Sequence, residues 1–231
     1  MIFVTGDTHG DMERFSDPRL KQLREGDTLI ICGDFGFLWD GNKREKKNLK
    51  ALAKKKYNIC FLDGTHENFE MLEEYPVTQW NGGDVQNICG NVYHLMRGQI
   101  YTIEDTTFFV MGGGESPDLD IRMENHNWSS RETPTPQELM AGAEKIENSG
   151  CEVDIIVTHE PPGKIKSFLN LSEGSGTRLT TLNAYFDELN KTCKYTKWYF
   201  GSMHVDKFVS SNQISLYRNI VEAIDGRPVK K

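Results

Sequence analysis

The stretch MIFVTGDTHG at residues 1–10 decides how the rest of the chain is read. Ile2, Phe3, Val4 and Thr5 form an uninterrupted apolar and β-branched run, the pattern of a strand covered on both faces. Gly6 breaks the run, and a carboxylate (Asp7) and an imidazole (His9) follow within one turn. A buried strand that ends by delivering two such groups belongs to an α/β protein that gathers its chemistry at the carboxyl ends of strands.

The same unit recurs along the chain. The apolar run 28–32 leads into Gly33-Asp34, the run 58–62 into Asp63-Gly64-Thr65-His66-Glu67, the run 154–158 into His159, and the run 198–200 into Gly201-Ser202-Met203-His204. Helix-like segments at 43–55, 67–74, 135–148 and 180–191 lie between the runs, so strand and helix alternate and crossover connections are predicted. Residues 92–111 and 207–224 carry strand-type residues spaced too tightly for helices and are predicted to be meanders or hairpins. The expected architecture is one domain over 1–231, a four-layer αββα sandwich of two mixed β-sheets flanked by helices. Its polar strand ends would converge on one rim. Residues 112–136, rich in Gly, Ser, Asp, Asn and Pro, are expected to form a flap over that rim.

Charge narrows the function classes. The net charge of −7 opposes broad binding to duplex nucleic acid, which needs an excess of Lys and Arg to neutralise phosphates. The basic run at 43–56 reads as a solvated helix face. Five cysteines, an odd number with no C-x-x-C pair, read as reduced thiols. No leader-like segment and no run of about 18 apolar residues is present, so a soluble cytoplasmic protein with no membrane partner is expected.

Taken in order, Asp7-x-His9, Gly33-Asp34, Gly64-Thr65-His66-Glu67, His159 and Gly201-Ser202-Met203-His204 resemble the motifs of the calcineurin-like metallophosphoesterase family. That family's pattern reads Asp-x-His, Gly-Asp, Gly-Asn-His-Asp/Glu, His and Gly-His-x-His, and the resemblance spans residues 7–204. It implies that Asp7, His9 and His204 hold one divalent ion and that Asp34 bridges to a second ion about 4 Å away. His159 would belong to the second ion, and His66 would stand beside the substrate as acid or charge stabiliser. The implied reaction is hydrolysis of a phosphate monoester or diester by a metal-held hydroxide. Imidazole and carboxylate ligands suit Mn, Fe, Ni or Zn.

Two positions depart from the family pattern: Thr65 stands where it has asparagine, and Ser202 where it has the first histidine of Gly-His-x-His. Both substitutions fall on the second ion, so one tight ion and a weak second are expected. Two readings stay open. One is a phosphoesterase acting on a small phosphorylated or nucleotide substrate. The other is a phosphate- or nucleotide-binding protein with weakened or lost hydrolysis.

Several further residues are candidates. Arg122, with Arg97 and Arg178, could clamp a phosphate through its planar guanidinium. Glu67 could hydrogen-bond His66 and fix its tautomer, or serve as an acid at a helix start. Phe37 occupies the family's usual second acidic position, and Asp40 is given no role. His94 reads as core or rim and His126 as solvated. Trp39, Trp80 and Trp128 either fill core or stack on a base, and Gly112-Gly113-Gly114 turns the chain near the site.

Overall fold

A computed structural model describes residues 1–116, 119–124, 128–173 and 176–230; His126 and parts of the expected flap lie outside these. Two sheets form the centre. The first contains β1 (Ile2–Thr5), β2 (Thr28–Ile31), β3 (Asn58–Phe61), β4 (Val77–Trp80), β5 (Gly83–Cys89), β6 (Val92–Leu95) and β13 (Ile220–Glu222), in the order β13-β1-β2-β3-β6-β5-β4. The second contains β7 (Gln99–Ile103), β8 (Thr106–Met111), β9 (Ile155–Thr158), β10 (Lys197–Phe200), β11 (Lys207–Phe208) and β12 (Gln213–Ser215), in the order β11-β12-β10-β9-β8-β7. Both are mixed. β1, β2, β3 and β6 run parallel, as do β8, β9, β10 and β12, with antiparallel strands at the edges.

Period-2 alternation assigns each strand residue to one face. Val4, Ile30 and Cys60 point into the space between the sheets, where they join Val110, Val157 and Tyr199. On the outer face of the first sheet, Phe3, Leu29, Ile59 and Phe61 pack with Leu49 and Leu52 of α1 (Lys43–Leu52) and Leu72 of α2 (Phe69–Glu73). On the outer face of the second, Phe109, Ile156, Trp198 and Phe200 meet Ile146 of α4 (Pro136–Asn148), Leu169 of α5 (Gly163–Glu173) and Phe186 of α6 (Thr181–Thr192). The short α3 (Leu119–Glu124) lies in the expected flap. These are the four layers the apolar runs required.

Helix starts follow local chemistry. Asn42 accepts from the amides of Arg44 and Glu45, and Thr135 and Thr180 form reciprocal capping boxes with Glu138 and Asn183. The two stretches expected to be meanders or hairpins do form closely spaced strands without helices, with β7–β8 and β11–β12 as antiparallel neighbours, but each stretch straddles both sheets. β6 belongs to the first sheet while β7 and β8 make a hairpin in the second, and β13 returns to the first after β11 and β12.

Parallel register aligns the strand ends that matter: Thr5 pairs with Ile31, Ile31 with Phe61, and Thr158 with Phe200. Within each sheet, the loops leaving these residues therefore start at one level. Beneath them, Phe35 stacks on Phe61 with centroids 4.1 Å apart and planes 10° from parallel. Phe61→Ala is expected to cost about 3–5 kcal/mol of unfolding free energy, the range for deleting a buried ring. A urea denaturation midpoint shift checks this.

Candidate functional site

The loops after β1 and β2 are tied together by main-chain hydrogen bonds. The amides of Thr8 and His9 donate to the Asp34 carbonyl at 3.2 and 2.8 Å, and Gly10 N donates to Phe35 O at 2.9 Å. Arg14, which sequence reading missed, donates to the carbonyls of Asp7 (2.7 Å) and Tyr217 (2.6 Å) and to Thr5 Oγ1 (2.9 Å). Left-handed backbone is concentrated here, with φ of 45° at His9, 43° at Asp34, 55° at Ser202 and 48° at His204. Non-glycine residues adopt it at a cost of roughly 1–3 kcal/mol each and keep it only where surrounding structure demands it. Gly33 (φ 112°) faces the His159 ring and Gly201 faces the Asp7 carboxylate so closely that a Cβ at either would overlap those side chains.

Side chains from five loops converge as a result. His204 Nε2 is 3.2 Å from Asp7 Oδ2 and 3.1 Å from His9 Nε2, and His9 Nε2 is 3.8 Å from Asp34 Oδ2. One donor atom from each of Asp7, His9, Asp34 and His204 lies within 4.8 Å of all the others. His159 stands beside them, its Nδ1 donating to the Cys32 carbonyl at 2.9 Å and its Nε2 3.8 Å from Asp34 Oδ1. A backbone acceptor on Nδ1 leaves Nε2 as the nitrogen with its lone pair available. Two carboxylates and three imidazoles, with no thiolate among them, make a donor set that fits a divalent ion of borderline hardness.

The electrostatics point the same way. Burial would push Asp34 up, but His159 and the hydrogen-bonded His66 outweigh it and hold the carboxyl well below the usual carboxylate range. Burial disfavours charge on His159, yet Asp34 and Asp7 raise it overall, and a hydrogen bond to Asp7 raises His204. For His9 burial prevails and lowers it. Carboxylates that favour protonated imidazoles favour a cation for the same Coulombic reason.

The peptide between Thr65 and His66 also belongs to the site. His66 N donates to Asp34 Oδ1 at 2.8 Å, and His66 Nδ1 lies 3.0 Å from both Asp34 Oδ2 and Thr65 Oγ1. A carboxylate only accepts, so Nδ1 carries the proton. Ser202 N donates to Asp7 Oδ2 at 3.0 Å. Glu67, for which a bond to His66 and a place at a helix start were both open, turns instead to the Asp34 loop: its Oε1 accepts from Phe35 N at 2.7 Å. Burial, and then the charge of Asp34, push Glu67 well above the carboxylate range.

The expected arginine clamps are otherwise engaged. Arg122, 4% exposed, pairs with Glu132 at 2.7 Å and donates to the Thr65 carbonyl at 2.7 Å. Its position is α3 and not an open loop, and its charge is neutralised within the protein. Arg97 donates from Nε and Nη2 to Asp63 Oδ2 at 2.9 and 2.6 Å, and Arg178 pairs with Glu115 at 2.7 Å. His94 is buried between Asp63 and Gln86. Trp80 stacks on Tyr93, and the Trp39 carbonyl accepts from Asn68, so both have structural contacts.

Two packed mixed sheets that carry aspartates and histidines to one rim define an α/β protein built around a metal-type donor cluster. The family model of the calcineurin-like phosphoesterases matches residues 1–218, and the chain belongs to this family. A search of curated proteins gives no match. Among the described residues no helix is long and apolar enough to cross a membrane.

The buried Asp63–Arg97 pair braces the strand end that leads to His66. Burial opposes the Asp63 charge, but Arg97 and His94 hold its pKa well below the usual range. A depressed folded-state pKa contributes stability above the unfolded value of about 3.9 and loses it as pH falls through the folded value. Asp63→Asn is therefore expected to destabilise by about 3–5 kcal/mol at neutral pH, because the buried Arg97 loses its principal counter-charge and keeps only the partly exposed Glu138 at 3.3 Å. The gap from wild type should narrow below about pH 4, as read by denaturant unfolding across pH.

Proposed function

We infer that this protein is a metal-dependent hydrolase of phosphate esters, and the convergence of Asp7, His9, Asp34 and His204 is the observation that carries the reading. Asp7, His9 and His204 would hold one ion, Asp34 would be shared, and His159 would serve a second. A bound divalent ion supplies Lewis acidity toward a phosphoryl oxygen and lowers the pKa of water. Mn, Fe, Ni and Zn all suit the donors.

His66 is the proton donor in this proposal. Asp34 holds Nδ1, the ring side chain is 37% exposed, and Nε2 has no protein hydrogen bond among the described residues. A proton on Nε2 is thus the transferable one, and it passes to the departing oxygen as the phosphorus–oxygen bond breaks. The net charge of −7 favours a small phosphorylated or nucleotide substrate, monoester or diester, over a duplex. The proposed setting is the cytoplasm.

One observation favours the alternative of a phosphate- or nucleotide-binding protein with reduced hydrolysis. Thr65 offers only a hydroxyl, and that hydroxyl faces His66 Nδ1 at 3.0 Å; Ser202 likewise offers only a hydroxyl. Neutral hydroxyls are weak ligands for borderline metals, so the second ion would bind loosely.

Metal analysis after dialysis is expected to find at least one ion per chain, rising toward two in the Thr65→Asn/Ser202→His double variant. Unchanged stoichiometry in that variant contradicts the assignment. His66→Ala is expected to lower turnover about 100-fold or more at unchanged metal content. Loss of metal from that variant would remove His66 from the donor role.

A further inference from the structure

The peptide group joining Thr65 to His66 is held at both ends. Its N–H donates to Asp34 Oδ1 at 2.8 Å, and its C=O accepts from Arg122 Nη1 at 2.7 Å. Arg122 is itself fixed: Nη2 pairs with Glu132 Oε1 at 2.7 Å, Nη1 also donates to Ser116 Oγ, and Ser116 Oγ donates to Glu132 Oε2 at 2.7 Å. Arg122, Glu132 and Ser116 are 4%, 1% and 2% exposed. All three come from one segment, the stretch expected to be a flap.

Hydrogen bonds in series through an amide strengthen one another, because a cation on the carbonyl withdraws electron density from the N–H at the other end. A guanidinium on Thr65 O thus makes His66 N a better donor to Asp34. It also fixes the peptide plane from which the His66 ring projects. The same segment is stitched to the strand end below by Gly113 N on Asp63 O at 2.9 Å, and to itself by Gly114 N on Glu132 O at 2.8 Å.

The geometry points to Arg122, neutralised by Glu132 and held by Ser116, as a positioning residue that aims the His66 ring at the leaving group from behind, through the Thr65–His66 peptide. This rests on the hydrolase reading for its kinetic consequence but not for its structural one. The contacts of Arg122 that hold the peptide are with the Thr65 carbonyl, Ser116 and Glu132, and not with the side chains of Asp7, His9, Asp34 or His204. It acts on the step in which the proton on His66 Nε2 moves to the leaving oxygen while water adds to phosphorus.

The test uses the full-length protein. Arg122→Met/Glu132→Leu removes both buried charges together, so neither is left alone in the interior. Arg122→Lys keeps the charge with a single point of contact and serves alone if the double variant does not fold. In metal-free protein, amide exchange at His66 is read by NMR and is expected to accelerate about tenfold or more in the double variant, and less in Arg122→Lys, with β1 and β2 amides unchanged. With Mn added, kcat for an alkyl phosphate ester is expected to fall about tenfold or more at little-changed KM. The matched nitrophenyl ester, whose leaving group needs no proton, should fall less than about threefold.

Unchanged exchange at His66 overturns the proposal, as does equal loss of turnover on the two esters. If wild type turns over neither ester, the hydrolase reading fails by itself, and the exchange result still decides whether Arg122 holds the His66 peptide.

Discussion

Asp7 and Asp34 lie almost wholly out of water, 1% and 2% exposed, with imidazole nitrogens from other loops within 4 Å of their oxygens. Two buried carboxylates at one rim are sustainable only where positive charge lies among them, on protonated rings or on a cation. The protein accepts further costs to keep them there. Left-handed backbone at His9, Asp34, Ser202 and His204 turns each loop inward immediately after its strand. Parallel register within each sheet starts its loops at one level, so short turns suffice to bring the groups together.

Asp34 is the point at which the supports meet. His66 donates to it from both its amide and its ring, and Gly64 closes against it so tightly that no side chain fits. Its neighbour Phe35 is held by Glu67 through the amide and by Phe61 through the ring. Arg122 reaches the same group from the far side through the Thr65 carbonyl. Sequence-distant elements thereby constrain one carboxylate, which is the economy expected of a site whose donors must be placed before a ligand arrives.

The strand-end groups were legible because they are local: an apolar run, a glycine and a polar residue repeat where β1, β2, β3 and β10 end, and His159 follows directly on β9. The contacts that set the roles of Glu67 and Arg122 were not, since their partners lie 32 and 57 residues away and nothing in spacing encodes them. Arg122 reads as an available cation in loop-like sequence, yet Glu132, itself held by Ser116, neutralises it in the interior. β4 escaped notice because Val77, Thr78 and Gln79 are exposed and carry no core pattern. α5 escaped because it follows two prolines and lacks a capping residue in sequence.

The central claim is that donors from separate loops share one cation. Diffraction from crystals grown with Mn, collected on both sides of the Mn absorption edge, tests it most directly. An anomalous peak coordinated by Asp7, His9, Asp34 and His204, lost in Asp34→Asn, is the expected result. A protein saturated with Mn that shows no peak among those four side chains would contradict the account.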